Sequence, residues 1–113
     1  MTIKFESHNF SDIVELPERL SMAQASSIRE GLHELVEQGH SNLILDLAKV
    51  NFMDSSGLSV LLSARKSVTQ KNGQVVLLSP SAEARLLIEL TRLNEVFDIF
   101  IDKEAAIDFF GQG

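Results

Sequence analysis

The chain has 113 residues, of which 44% are hydrophobic and 23% charged, and it contains no cysteine. This length predicts a single domain over residues 1–113, and the composition is that of a chain that buries a core rather than one that stays disordered. Without cysteine the chain forms no disulfide, thiolate metal site or cysteine nucleophile. The net charge of -6 disfavours binding to nucleic acid and to anionic membranes.

Signals for membrane insertion or export are missing from the sequence. No apolar stretch reaches the ~20 residues that a bilayer-spanning helix needs. The first eight residues include Glu6 and lack the apolar segment of a secretory signal. The last residues match no lipidation motif. We therefore expect a cytoplasmic protein with no direct membrane insertion and no nucleic-acid partner.

Five segments have the pattern of β-strands. Two extended segments come first, with Asn9 as a turn between them, and Pro17 ends the second because proline donates no ladder hydrogen bond. The following segments include short, nearly continuous apolar runs that suit strands buried on both faces of a sheet. The predicted strands cover residues 2–7, 11–16, 43–47, 74–78 and 96–101.

Two long segments have helical spacing. In the first, Ser21 and Gln24 fit a capping box at the start, and Gly39 is placed to end the helix. The second helix runs over residues 55–70 and closes at Gly73. Its predicted apolar side consists of Leu58, Leu61, Leu62 and Val68.

Two shorter helices follow. Ser79 is the predicted N-cap of the third, with Pro80 at its first helical position. Asp102 is predicted to cap a fourth helix that ends near Phe110. The element order is therefore β-β-α-β-α-β-α-β-α, which predicts an α/β fold with a mixed, mostly parallel sheet. In such sheets functional surfaces lie at the carboxyl ends of strands, which directs attention to residues 48–57.

The start of the second helix is the most informative stretch. Asp54 is a good N-cap, Ser55 and Ser56 take the first two helical positions, and Gly57 has no side chain to shield nearby amides. A helix N-terminus offers free N–H donors and a positive dipole end, so a phosphate on Ser55 is expected to meet those donors. The alternative is that both serines merely cap the helix.

The wider context identifies a family. The segment from Leu43 to Leu62 resembles the STAS domain of bacterial anti-sigma factor antagonists, in which an apolar strand ending in aspartate leads into a characteristic motif at the start of a helix. That motif stands here as Phe52-Met53-Asp54-Ser55-Ser56-Gly57-Leu58. The predicted element order matches the family along nearly the whole chain.

The resemblance implies a partner-switching regulator rather than an enzyme. Family members bind an anti-sigma factor that is also a serine kinase, are released when that kinase phosphorylates them, and are restored by a metal-dependent serine phosphatase. By position, the resemblance makes Ser55 the phosphorylated residue, with Ser56 as second choice. It makes Asp54, Ser55, Ser56, Gly57 and Leu58 the partner-binding residues.

One departure from the family leaves the partner and the pathway output open. Many members carry a Gly-x-Leu/Ile-Asp turn before the first helix, where this chain has Pro17 in place of the glycine and Ser21 in place of the aspartate. Two alternatives remain. The first alternative is a constitutive STAS interaction subunit of a transport ATPase, and the second is a STAS domain that senses a small ligand.

Other chemistry finds no support in the sequence. His8, His33 and His40 do not have a metal-binding spacing. No phosphate-binding Gly-x-x-x-x-Gly-Lys motif is present, and Ser59 lacks the second glycine of a hydrolase elbow. We therefore expect no metal, no cofactor and no catalytic residue.

Overall fold

The computed structural model describes residues 3–111. Within that span the strands are β1 (Phe5–Ser7), β2 (Asp12–Glu15), β3 (Arg19–Leu20), β4 (Asn42–Asp46), β5 (Phe52–Met53), β6 (Gln74–Leu78) and β7 (Ile99–Phe100). The helices are α1 (Met22–Glu37), α2 (Ser55–Gln70), α3 (Ala82–Leu90) and α4 (Lys103–Gly111), and a short 3-10 turn covers Leu93–Glu95.

Five strands form the main sheet, in the order β1-β2-β4-β6-β7. β1 runs antiparallel to β2, and the remaining pairs are parallel, which confirms the predicted mixed, mostly parallel α/β sheet. The register aligns Val14 with Leu45 and Leu45 with Leu77. The first predicted strand is shorter than expected, and its first residue, Thr2, lies outside the described residues.

The alternation of side chains along these strands divides the core in two. Leu45 and the side chains on the same face of the sheet belong to the larger cluster, which α1, α2 and α3 cover. Ile44 and its neighbours on the adjacent strands point to the opposite face, where α4 packs on them. Within residues 3–111 no helix has the length and apolar character needed to cross a membrane.

The helix boundaries follow the capping residues closely. At the start of α1 the Ser21 N–H donates to Gln24 Oε1 at 3.2 Å, as the predicted capping box requires. After its C-terminus Gly39 adopts a φ of 107°, a left-handed conformation that glycine tolerates best. α2 ends in the same way, but Asn72, with a φ of 61°, takes the left-handed position expected of Gly73.

The predicted start of α3 is wrong by two residues. Ser81, not Ser79, is the N-cap, and its Oγ accepts a hydrogen bond from Ala84 N–H at 3.1 Å. Ser79 instead has a φ of 49°, and its N–H donates to Phe100 O at 2.7 Å, which extends the β6–β7 pairing. The Ser79 hydroxyl also donates to Ile101 O at 2.7 Å, so Ser79 is held at the end of the sheet and the helix begins only at Ala82.

The last strand is also shorter than predicted. Val96 and Phe97, the first two residues of the predicted strand, lie outside the sheet. Their N–H groups donate to Leu93 O in the 3-10 turn, at 2.9 and 3.0 Å. The strand that remains pairs through Leu77↔Ile99 and Leu78↔Phe100.

An ion pair ties α4 to the opposite end of the sheet. Lys103 Nζ lies 3.0 Å from Glu6 Oε2 on β1. The Lys103 ammonium, together with His8 at 2.7 Å, holds the pKa of the Glu6 carboxyl below its usual value, and Glu6 in turn raises the pKa of Lys103. Both partners of the ion pair are exposed, so the contact orients α4 more than it stabilises the fold.

α2 offers a direct test of which leucines form the core. Leu61 is fully buried, whereas Leu62, predicted on the same apolar side, is 44% exposed. We expect Leu61→Ala to lower the free energy of unfolding by about 2–5 kcal/mol and Leu62→Ala to lower it by less than about 1 kcal/mol. Urea denaturation of both variants measures the difference, and equal losses would contradict this placement of the helix.

Candidate functional site

Asp54 lies where two helices begin. Its Oδ1 accepts hydrogen bonds from Ser56 N–H at 2.9 Å and from Gly57 N–H at 3.2 Å, in the first turn of α2. Its Oδ2 lies 3.4 Å from the N–H of Met22, the first residue of α1. The predicted N-cap is therefore confirmed, and one carboxylate serves the positive ends of two helices.

These contacts correct one expectation from the sequence. A phosphate on Ser55 is expected from the sequence to meet free N–H donors at the helix start, but the Asp54 carboxylate already accepts from the amides of Ser56 and Gly57. A phosphate at this position therefore meets an occupied helix end and a neighbouring negative charge. Its effect is on the surface, not on the capping of α2.

A short second sheet, which the sequence did not predict, holds this helix start in place. β3 pairs with β5 in parallel, with Arg19 opposite Phe52 and Leu20 opposite Met53. Just before these pairs, Asn51 N–H donates to Glu18 O at 2.8 Å. Two-residue strands are too short to show a periodic pattern, and only the approach of two distant loops creates them.

Gly57 is required by the close approach of β3 to α2. A β-carbon at this position would collide with Leu20 O, the backbone carbonyl at the end of β3, and would lie 2.9 Å from Met53 Cγ. Because a backbone atom cannot swing aside as a side chain does, any larger residue must push the helix away from the small sheet. Gly57 therefore determines how closely the start of α2 packs against β3.

The five predicted site residues differ in exposure. Ser55 is exposed, Asp54 and Ser56 are half-buried, and Gly57 and Leu58 are buried. Only the first three reach the surface of the isolated chain. The other two support the helix start from beneath, with Leu58 just 8% exposed.

Hydrogen bonds from the rest of the fold anchor the loop that leads to the site. The Ser81 hydroxyl, at the start of α3, donates to Val50 O in the β4–β5 loop. Behind α2, Arg29 Nη2 donates to Ser59 Oγ at 2.8 Å, and Ser59 Oγ donates to Ser56 O at 2.7 Å. α1, α2 and α3 therefore all contribute to holding residues 50–59.

Three exposed residues that sequence analysis did not assign to the site surround it. Met22 is 77% exposed and Phe52 is 41% exposed. The guanidinium carbon of Arg19 lies 4.4 Å from the centre of the Phe52 ring, in a cation–π contact. Two signals in the sequence bear on them: Phe52 opens the motif at residues 52–58, and Arg19 falls within the departure from the family pattern at residues 17–21.

The charged groups near the strand ends are not arranged for metal binding. Asp46 Oδ1 accepts from Ala48 N–H at 3.0 Å, and both Asp54 oxygens face backbone amides. Among residues 3–111 no three histidine or acidic side chains converge as metal ligands would. What the site does present is an exposed serine hydroxyl on a rigid helix start.

Comparison with known proteins gives a consistent result. The STAS domain family profile matches residues 4–106. An anti-sigma-B factor antagonist of Bacillus subtilis is 32% identical over 100 residues, which cover 88% of this chain and 91% of the relative.

Solved structures share the fold. An anti-sigma factor antagonist from Mycobacterium paratuberculosis, 22% identical, superposes with a TM-score of 0.84 over 96% of this chain and 92% of its own. The Bacillus anti-sigma factor antagonist SpoIIAA, 24% identical, has been solved unphosphorylated and phosphorylated, with TM-scores of 0.80 and 0.73 over 95% of this chain and 94% and 97% of the respective structures.

Removal of the Asp54 carboxylate tests its structural role. We expect Asp54→Ala to lower the free energy of unfolding by about 0.5–2 kcal/mol, because the amides of α2 lose their acceptor. Asp54→Asn is the matched control: its amide oxygen still accepts, so it should lose clearly less. Urea denaturation measures both, and an equal loss in the two variants would assign the stabilisation to charge instead of capping.

Proposed function

This chain belongs to the STAS-domain family of anti-sigma factor antagonists, and we propose that it is a partner-switching regulator controlled at Ser55. The unphosphorylated chain binds a cognate serine kinase of the anti-sigma type. Phosphorylation of Ser55 by that kinase releases it, and a metal-dependent serine phosphatase restores the binding form. The proposal places the chain in the cytoplasm with these two enzymes.

The observation that carries the proposal is the separation of Ser55 from the groups that hold the fold. Ser55 is the exposed first residue of α2, while Asp54, Gly57 and the small sheet fix the helix start beneath it. A change of charge on the Ser55 hydroxyl therefore alters the surface and leaves the fold intact. The existence of both an unphosphorylated and a phosphorylated structure of SpoIIAA supports this reading.

The chemistry is done to this chain by its partners. In the kinase reaction the Ser55 Oγ–phosphorus bond forms as the bond between the γ-phosphorus and ADP breaks, and a base of the kinase takes the hydroxyl proton. The product carries about -1.5 to -2 extra charge at neutral pH beside the Asp54 carboxylate. In the phosphatase reaction water attacks the phosphorus as the Ser55 Oγ–phosphorus bond breaks, inorganic phosphate leaves, and Ser55 Oγ takes up a proton to restore the hydroxyl.

The partner-binding surface follows from the exposure of the site residues. Asp54, Ser55 and Ser56 are the ones we expect to contact the partner, while Gly57 and Leu58 position them. The loop before α1, which departs from the family pattern, adjoins this surface through β3. The partner, and with it the pathway output, is therefore expected to be specific to this chain.

The site of phosphorylation is directly testable. Incubation with ATP and the kinase activity of a native-host extract should add one phosphate, which peptide mass spectrometry should assign to Ser55. We expect Ser55→Ala to abolish this addition, because the acceptor oxygen is gone. Ser56→Ala is the matched control and should be phosphorylated normally, whereas the reverse pattern would make Ser56 the site.

The release step predicts separate effects on binding and on stability. Ser55→Asp should weaken binding to the cognate kinase, purified from the native host, at least tenfold in calorimetry. The reason is that a negative charge then faces the kinase surface. Its melting temperature should stay close to that of the wild type, since an acid at the first turn of a helix is tolerated. Equal binding of the kinase by Ser55→Ala and Ser55→Asp would contradict the release step, whereas a constitutive subunit of a transport ATPase would bind its ATPase equally well with either substitution.

A further inference from the structure

Arg19 is a cation without an acidic partner beside the site. Its side chain is exposed and stacks on Phe52, and within the described part of the chain it forms no ion pair. When a guanidinium stacks on a ring, its N–H donors still point outward in the guanidinium plane and can bind an anion.

The backbone brings Arg19 to the same corner of the molecule as Ser55. Residues 19–22 run alongside residues 52–57: Arg19 pairs with Phe52, Leu20 O contacts Gly57, and Met22 N–H faces Asp54. Paired strands lie about 4.8 Å apart, and Ser55 follows Phe52 by three residues, at most about 10 Å of chain. A gap of this size is within the combined reach of an arginine side chain and a phosphate on Ser55.

Other donors near the site are already engaged, and Arg29 on α1 donates to Ser59 Oγ at 2.8 Å. Asp54 occupies the Ser56 and Gly57 amides and adds a repelling charge. Arg85 lies on α3, which packs against β5, but its Nε is 3.1 Å from Glu89 Oε2. Of these groups Arg19 alone is a cation whose side chain has neither an ion pair nor a side-chain hydrogen bond within residues 3–111.

We propose that Arg19 receives the phosphate of phosphorylated Ser55, moving from the Phe52 ring to a forked contact with the phosphate oxygens. Arginine suits this role because its parallel N–H groups match two phosphate oxygens. The inference rests on the proposed function for the identity of the modified serine. Its consequence is that phosphorylation neutralises a cation on the binding face and uncovers Phe52 while it adds the charge of the phosphate.

The test uses full-length protein with phosphoserine installed at position 55 during translation, so that no kinase is needed. Phosphorus NMR follows the phosphate through its second ionisation in the wild type and in Arg19→Gln. A nearby cation favours the dianion, so its loss should raise the midpoint by about half a pH unit, a discounted value because the site is exposed. Arg19→Lys, which keeps the charge but not the fork, should fall between the two.

Arg85→Gln is the matched control and should leave the midpoint unchanged. The ring protons of Phe52 should also shift on phosphorylation in the wild type and not in Arg19→Gln. Identical midpoints in the wild type and Arg19→Gln, or a larger shift in Arg85→Gln, would overturn the proposal. A failure of the host kinase to modify Ser55 would instead count against the proposed function, because this titration does not depend on the kinase.

Discussion

The Asp54 carboxylate accepts hydrogen bonds from the first turn of α2 and faces the first amide of α1, so that the two helix N-termini meet at one side chain. Each helix end carries a partial positive charge, and placing two of them together without an anion between them is unfavourable. The close contact of Gly57 with Leu20 O fixes how closely the start of α2 approaches β3. The small β3–β5 sheet and the position of Ser55 both follow from this junction.

The site is built in two layers with different duties. The lower layer of Asp54, Gly57 and Leu58 is buried or half-buried and satisfies its polar groups internally. The upper layer of Arg19, Met22, Phe52 and Ser55 is exposed and makes few contacts that the fold needs. A regulator that must change its binding without unfolding needs this arrangement, because a new charge on the upper layer does not disturb hydrogen bonds in the lower one.

Sequence reasoning succeeded where a local rule had no competitor. The capping residues Ser21 and Asp54 and the stop at Gly39 depend on a few neighbouring residues, and all three lie where the sequence predicted. Reasoning failed where a distant segment claimed the same group. Ser79 has the pattern of an N-cap, but its N–H and its hydroxyl donate to Phe100 O and Ile101 O, and Ser81 caps the helix instead. Leu62 fits the helical stripe of α2, yet no neighbouring element covers it.

The sequence by itself determined the α/β class, the order of the long elements and the motif at residues 52–58, because periodicity and capping are encoded over short windows. It also identified Ser55 as the residue on which regulation is expected to act. Only the tertiary structure decided that Asp54 also faces the first amide of α1, that two loops form a second sheet, and that Arg19 stacks beside the site on Phe52. Those features depend on contacts between residues more than thirty positions apart, and the spacing of residues along one segment carries no record of them.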